Sequence, residues 1–188
     1  MTSKERVLAE PGRALANLVS IHVGCFSCVL GAVRGMPWLG PVVVLSLVVI
    51  HLLLSRSRET DAVILVAAGL LGFALDGAAT SAGVLVFPSG SGTVWTAPLW
   101  MTALWVNLAT ALNLGLRALR GRYLLALGIG AVGGPLAYGS GASAEALSYG
   151  YPWGHAVIGV EWALALPLLV WANAAIRRTA LPGEVARG

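Results

Sequence analysis

Apolar residues run along this chain in long stretches separated by short polar gaps, with no sustained alternation between one residue and the next. A helix needs about 20 apolar residues to cross a bilayer at roughly 1.5 Å rise per residue. Inside hydrocarbon every backbone N–H and C=O must be satisfied internally, which leaves helices or closed barrels. The lack of a period of two selects helices. Six spans are predicted, at residues 14–33, 38–54, 62–86, 95–116, 123–139 and 153–176. The first follows basic residues as a secretory signal does, but its apolar run exceeds the 7–15 residues or so of a signal core, so it is read as a span.

Composition agrees with this pattern. Hydrophobic residues make up 57% of the chain and charged ones 11%, with a mean hydropathy of +0.82, whereas soluble domains carry about 25% charged residues. The expected fold is an all-α polytopic membrane helix bundle, with residues 1–188 forming a single integral membrane domain. The pieces outside the spans are a short leading segment, a Ser/Gly-rich loop at 88–94, a loop of small residues at 140–152 and a short end from Thr179. They are linkers or caps, too small to hold a further domain.

Charge sets the orientation. Lys4, Arg6, Arg13, Arg56, Arg58, Arg117, Arg120, Arg122, Arg177, Arg178 and Arg187 all fall on one side of a six-span arrangement, and Arg34 alone falls on the other. Basic loops stay in the cytoplasm, so both termini are expected there. The sequence pI near 9.6 then reflects topology and anionic lipid headgroups, with no basic face on a soluble domain to receive nucleic acid. Trp38, Trp95, Trp100 and Trp153 fall near the expected outer ends, where indoles favour the headgroup zone.

Within these spans one residue stands out. Asp76 is the only charge in the stretch "GLLGFALDGAATSAGVLVFP" at 69–88. It is about ten residues, or roughly 15 Å, from the outer end of its span. An acid near the centre of a spanning helix costs about 2.5–3.5 kcal/mol to insert, so it faces the bundle interior and has a partner or a proton. Glu161, in "GVEWALALP", is about eight residues in from the same side, at similar depth. A neutral acid beside an ionised one is the arrangement used for general acid–base work or a proton relay. The alternative is that each acid only bridges two helices.

Other residues add detail. Gly130 and Gly134 stand four apart in "GIGAVGGPLAYGSG", a seam for close helix approach. Pro135 after them is expected to kink the helix, and its freed carbonyls could instead line a polar cavity. His22, Cys25 and Cys28 form H-x-x-C-x-x-C, but steps of three fan around a helix by about 120° in total, so no metal site is expected. His51 and His155 are read as interfacial. Asn107 and Asn113 are polar enough to bridge helices, at about 1 kcal/mol each. Trp100, Trp105, Tyr138 and Trp162 either wall an apolar chamber or fill core.

At "FALDG", "VFPSG", "PLWMTALWVNLATALNLGL" and "GAVGGPLAYGSGA" the chain resembles a family of small bacterial inner-membrane proteins whose domain has no assigned function. The resemblance spans nearly the whole chain and rests on W-M-x-x-L-W, T-x-L-N and G-P-L-A-Y in that order. Asp76, Trp100, Trp105, Asn113, Pro135 and Tyr138 match the pattern. The chain departs from it at Leu114 and Gly115, where a His-Ser pair is usual, and at Ser143, in the region where a basic residue follows G-P-L-A-Y. It departs again at His22 and Cys25, where Gln and Trp are usual. The resemblance implies a multi-pass protein of the bacterial inner membrane. Some relatives are encoded beside enzymes that modify fatty acyl chains, and this implies lipid chemistry.

Two classes of function follow. One is a small intramembrane enzyme acting on a lipid or isoprenoid, with Asp76 as acid, Glu161 as base, and Trp100, Trp105, Asn107, Asn113, Tyr138 and His22 as binding residues. The other is non-enzymatic: a proton-coupled carrier, or a membrane partner subunit. The expected partners are membrane lipids, a hydrophobic small molecule, and another membrane protein or a second copy of the chain; no cofactor is expected. The sequence has no H-E-x-x-H, G-x-S-x-G or phosphate-loop motif to fix a reaction.

Overall fold

The computed structural model describes residues 3–88 and 96–185. Trp95, most of the 88–94 loop and Arg187 lie outside them. Among the described residues there are six α-helices: α1 (Ser3–Val33), α2 (Leu39–Leu54), α3 (Arg58–Ser81), α4 (Leu99–Ala109), α5 (Tyr123–Ser143) and α6 (Gly154–Val185). A 3₁₀ turn, Arg117–Leu119, precedes α5, and two short strands, β1 (Leu85–Val86) and β2 (Ser148–Tyr149), pair antiparallel. Ala14–Val33, Arg58–Ser81, Tyr123–Ser143 and Gly154–Ala180 are long and apolar enough to cross a membrane; α2 and α4 are shorter. Large apolar side chains such as Leu54, Leu99 and Leu124 are exposed around the bundle, as expected where the outer solvent is lipid. The protein is a multi-pass membrane protein built as an all-α bundle.

Consecutive helices pair as α1 with α2, α3 with α4 and α5 with α6, and α4 also packs on α1 and α2 while α3 also meets α6. The shortest helix is therefore central. It is apolar all round, and Trp100, Met101, Trp105, Asn107 and Ala109 are buried, which is the usual state of such a helix.

Glycine seams set the spacing. A Cβ on Gly130 would run into the Trp162 carbonyl and one on Gly134 into the Trp162 ring, so α5 approaches α6 along the predicted face. Helix α5 is continuous through Pro135. Proline leaves the carbonyl four residues before it without an intrahelical donor. That carbonyl, on Ala131, lies against Gly159 of α6, 3.3 Å from where a Cβ would stand. It therefore meets a helix and not a ligand cavity. Cys28 is buried against Gly40 of α2, a packing role for one of the two thiols.

Three predicted boundaries are corrected. The third span was expected to reach residue 86, but α3 ends at Ser81 because Gly83 adopts φ +70°. The Gly83 N–H then reaches the Thr80 carbonyl and the Val84 N–H the Ala79 carbonyl, a Schellman closure that turns the chain into β1. The fourth span was expected to run to 116, but α4 ends at Ala109. Thr110, Ala111 and Leu112 each bond the carbonyl three residues back, and the Thr110 hydroxyl donates to the Asn107 carbonyl at 2.7 Å. Non-helical backbone at this depth is tolerated because protein covers it: Thr110, Ala111 and Leu112 are all buried. Helix α5 also runs into the predicted 140–152 loop and closes at Glu145.

Candidate functional site

Asp76 is fully buried on the inward face of α3. The Trp105 indole of α4 donates to its Oδ2 at 2.8 Å, and the Tyr138 hydroxyl of α5 donates to its Oδ1. Small residues make room for the indoles around it. Trp105 lies over Gly72, one turn before Asp76, where any Cβ would collide with the indole. Trp162 of α6, seated on Gly134, stacks on Trp105 with centroids 4.3 Å apart and meets Tyr138 edge-on at 6.2 Å. One carboxylate thus ties three helices, and an indole from a fourth closes over the group. Trp105 can only donate, so Oδ2 must accept; either oxygen of the Tyr138 contact can hold its proton.

Glu161 precedes Trp162 on α6. It is half-buried, with its Oε1 buried and unpartnered among the described residues. Its neighbour Trp162 is the indole that stacks on Trp105 and meets Tyr138 edge-on. Unpartnered buried acceptors are uncommon in folded proteins.

Beside this group is an apolar cavity of about 140 Å³ between α1, α4, α5 and α6, walled by Trp100, Trp105, Tyr138 and Trp162, with Cys25 and Leu104 also in its lining. The predicted aromatic residues do converge on one chamber. Asp76 and Glu161 do not line it, so Asp76 meets the chamber only through Tyr138 and Trp105.

A second polar centre lies at the end of the bundle where α2 closes and α3 begins. Asp61 is 5% exposed and gathers partners from four parts of the chain. It accepts from the Ser55 hydroxyl at 2.6 Å and from the Asn113 amide at 3.4 Å, it pairs with Arg177, and His51 Nε2 lies 3.4 Å away. Asn113 also accepts from Asn173 at 2.9 Å and from Arg120 at 3.2 Å. Nearby, Asn107 donates to the Ile21 carbonyl at 2.8 Å, and Asn17 donates to the Thr110 carbonyl at 3.3 Å.

The sequence-predicted residues therefore divide. Trp100, Trp105 and Tyr138 wall the chamber, with Asp76 bonded behind two of them and Glu161 on α6 beside Trp162; Asn107 and Asn113 border the pocket at the second centre. His22 belongs to neither: it is exposed, and its ring contacts its own Leu18 carbonyl at 2.7 Å. Sequence reading did not single out Asp61, Arg177 or Asn17; it read His51 as interfacial, and the residue is in the last turn of α2 beside Asp61. Asp61 looks like an ordinary acid of a helix first turn, two residues after Glu59, and nothing in the sequence set it apart. Among the described residues no three His, Cys, Asp or Glu side chains gather as a metal site.

Comparison with curated proteins and with solved structures gave no match. The model of one family, described as protein of unknown function (DUF2878), matches residues 14–168. That stretch takes in the Asp76 group, the aromatic chamber and all of α2 to α5, and the chain belongs to the DUF2878 family.

Proposed function

We propose that this protein is a small intramembrane enzyme that acts on a lipid or isoprenoid by acid–base chemistry at the Asp76–Tyr138–Glu161 group. It sits in a bacterial inner membrane with six crossings and both termini in the cytoplasm. The observation that carries the reading is the buried contact between Asp76 and Tyr138 at the wall of an apolar chamber. Structural hydrogen bonds between membrane helices seldom need an ionisable group, because an amide or hydroxyl does the same work without the cost of burying a charge.

The roles differ from those expected from sequence. Asp76 acts as the base and works through Tyr138, whose hydroxyl lies against its Oδ1 while the Trp105 indole donates to its Oδ2. A proton leaving the substrate goes to Tyr138 Oη while the tyrosine's own proton passes to Asp76 Oδ1. Glu161 has a buried oxygen without a partner, where an ionised carboxylate is expensive, and it is the acid that returns a proton. The stacked indoles and Trp100 hold the apolar body of the substrate and exclude water. A double-bond shift or a ring closure fits, since each needs one proton removed and one added and no further reactant.

The test compares lipid extracts of a deletion strain complemented at matched expression with wild type, Asp76→Asn, Asp76→Leu, Tyr138→Phe and Glu161→Gln. The acid–base reading expects the Asn, Phe and Gln variants to accumulate the same precursor as the deletion. Full rescue by Asp76→Asn, with damage only from Asp76→Leu, would leave a bridging residue in a non-enzymatic partner subunit. Topology is tested separately: a reporter fused after Arg187 should report the cytoplasm and one inserted at Ser91 the periplasm.

A further inference from the structure

The second polar centre borders a pocket of about 390 Å³, within the range of small-molecule sites. We propose that this pocket binds the headgroup of a single anionic phospholipid that carries a free headgroup hydroxyl, as phosphatidylglycerol does. The inference is independent of the reading of Asp76.

Three features of the lining specify that chemistry. The first is an acceptor with no donor. Asn17 is 7% exposed and lines the pocket. Its Nδ2 is committed to the Thr110 carbonyl, which can only accept, and this fixes the orientation of the amide. Its Oδ1 is left buried without a partner among the described residues, a position that a ligand hydroxyl would satisfy.

The second feature is charge. Arg56 and Arg177 line the pocket with one acid, Asp61, and Asp61 is already shared by Arg177, Ser55 and Asn113. Arg56, at the rim, has no acidic partner among the described residues. An uncompensated guanidinium is suited to a phosphate, which it can bind through two parallel N–H bonds.

The third is that the pocket is two-sided. Ile50 and Leu54 line it, yet they are 52% and 67% exposed on the outer, lipid-facing surface. A ligand here has its polar end against Asn17 and Arg56 and its apolar body along α2, which describes an amphiphile entering from the bilayer. The level is also right for a headgroup: Asn17 is close to the start of the apolar run Ala14–Val33, and Arg56 and Ser57 are in the α2–α3 turn.

The experiment is native mass spectrometry of the full-length protein in detergent, titrated with phosphatidylglycerol, with phosphatidylcholine of the same chains, and with glycerol 3-phosphate alone. One phosphatidylglycerol should be retained, with roughly tenfold preference over phosphatidylcholine, whose phosphate is the same but whose choline has no hydroxyl to donate to Asn17 Oδ1 and places a like charge beside Arg56. Arg56→Gln, at an exposed position, should weaken retention of both lipids and narrow that preference without changing the melting temperature. Asn17→Ala should weaken retention. Should that variant fail to fold, Gly115→Ser serves instead, because a Cβ there stands 3.5 Å from Asn17 Oδ1 and its hydroxyl would supply the missing donor from within. Equal retention of both lipids, or undiminished preference in Arg56→Gln, would overturn the proposal. Glycerol 3-phosphate binding as tightly as the lipid would overturn the choice of a membrane ligand.

Discussion

Removing the Asp61 carboxylate should unlock the basic end of the bundle, because that single group is shared by α2, α3, α6 and the turn after α4. In Asp61→Ala the guanidinium of Arg177 loses its anion and the Ser55 hydroxyl loses its acceptor. Breaking a fully buried ion pair costs about 3–5 kcal/mol, and breaking an exposed one about 0–1 kcal/mol. The Asp61 side chain is 7% exposed and that of Arg177 25%. Arg177 also keeps its contact with Asn173 Oδ1 at 3.3 Å and can turn its head outward. The expected loss is therefore intermediate, about 2–3 kcal/mol for Asp61→Ala, and about 1–2 kcal/mol for Asp61→Asn, which still accepts from Ser55. Arg177→Met should cost at least as much as Asp61→Ala, since the carboxylate it strands is the more deeply buried partner. The double variant Asp61→Leu with Arg177→Met should recover much of that loss, because no charge is then left unpaired. Reversible unfolding in mixed micelles, read by tryptophan fluorescence, measures all four. The wild-type midpoint should hardly move between 0.05 and 0.5 M salt, as screening reaches a covered pair weakly. A loss below about 0.5 kcal/mol in Asp61→Ala, or a double variant worse than the sum of the singles, would refute the network as a shared anchor.

Three further changes probe other parts of the molecule. Gly134→Leu should cost more than about 2 kcal/mol and lower the melting temperature in detergent, because the Trp162 ring occupies the space a side chain would need; an unchanged temperature would mean this face meets only lipid. Trp105→Phe should cost about 1–3 kcal/mol by stranding Asp76 Oδ2 without its donor, and restoring the donor with a ring-substituted tryptophan should reverse it. Glu145→Gly should stabilise by about 1 kcal/mol, since Glu145 closes α5 at φ 63° where a side chain is strained; a lower melting temperature would show that the glutamate makes a contact that outweighs the strain.

The sequence alone determined the bundle. Long apolar runs report transfer into lipid, a sum over neighbouring residues, and so the run 14–33 coincides with the apolar part of α1, and α2 begins within a residue of its predicted start. The same logic singled out Asp76, because an isolated acid in an apolar run is costly wherever the helix packs, but it left open whether Trp100, Trp105 and Tyr138 wall a chamber or fill core. The tertiary structure decided what those residues meet. The partners of Asp76 lie 29 and 62 residues away, and Trp105 reaches it over Gly72, where any Cβ would collide with the indole. Hydropathy also could not show that α4 stops at Ala109, since the seven residues after it are as apolar as the helix and are turned by bonds to Asn107, Leu108 and Ala109. It could not rank Asp61 above any other acid near a span end. That residue matters because helix packing brings Arg177, 116 positions later, to the same corner of the bundle. Local transfer energy is written along the chain, whereas the choice of which polar groups pair is made between faces of different helices.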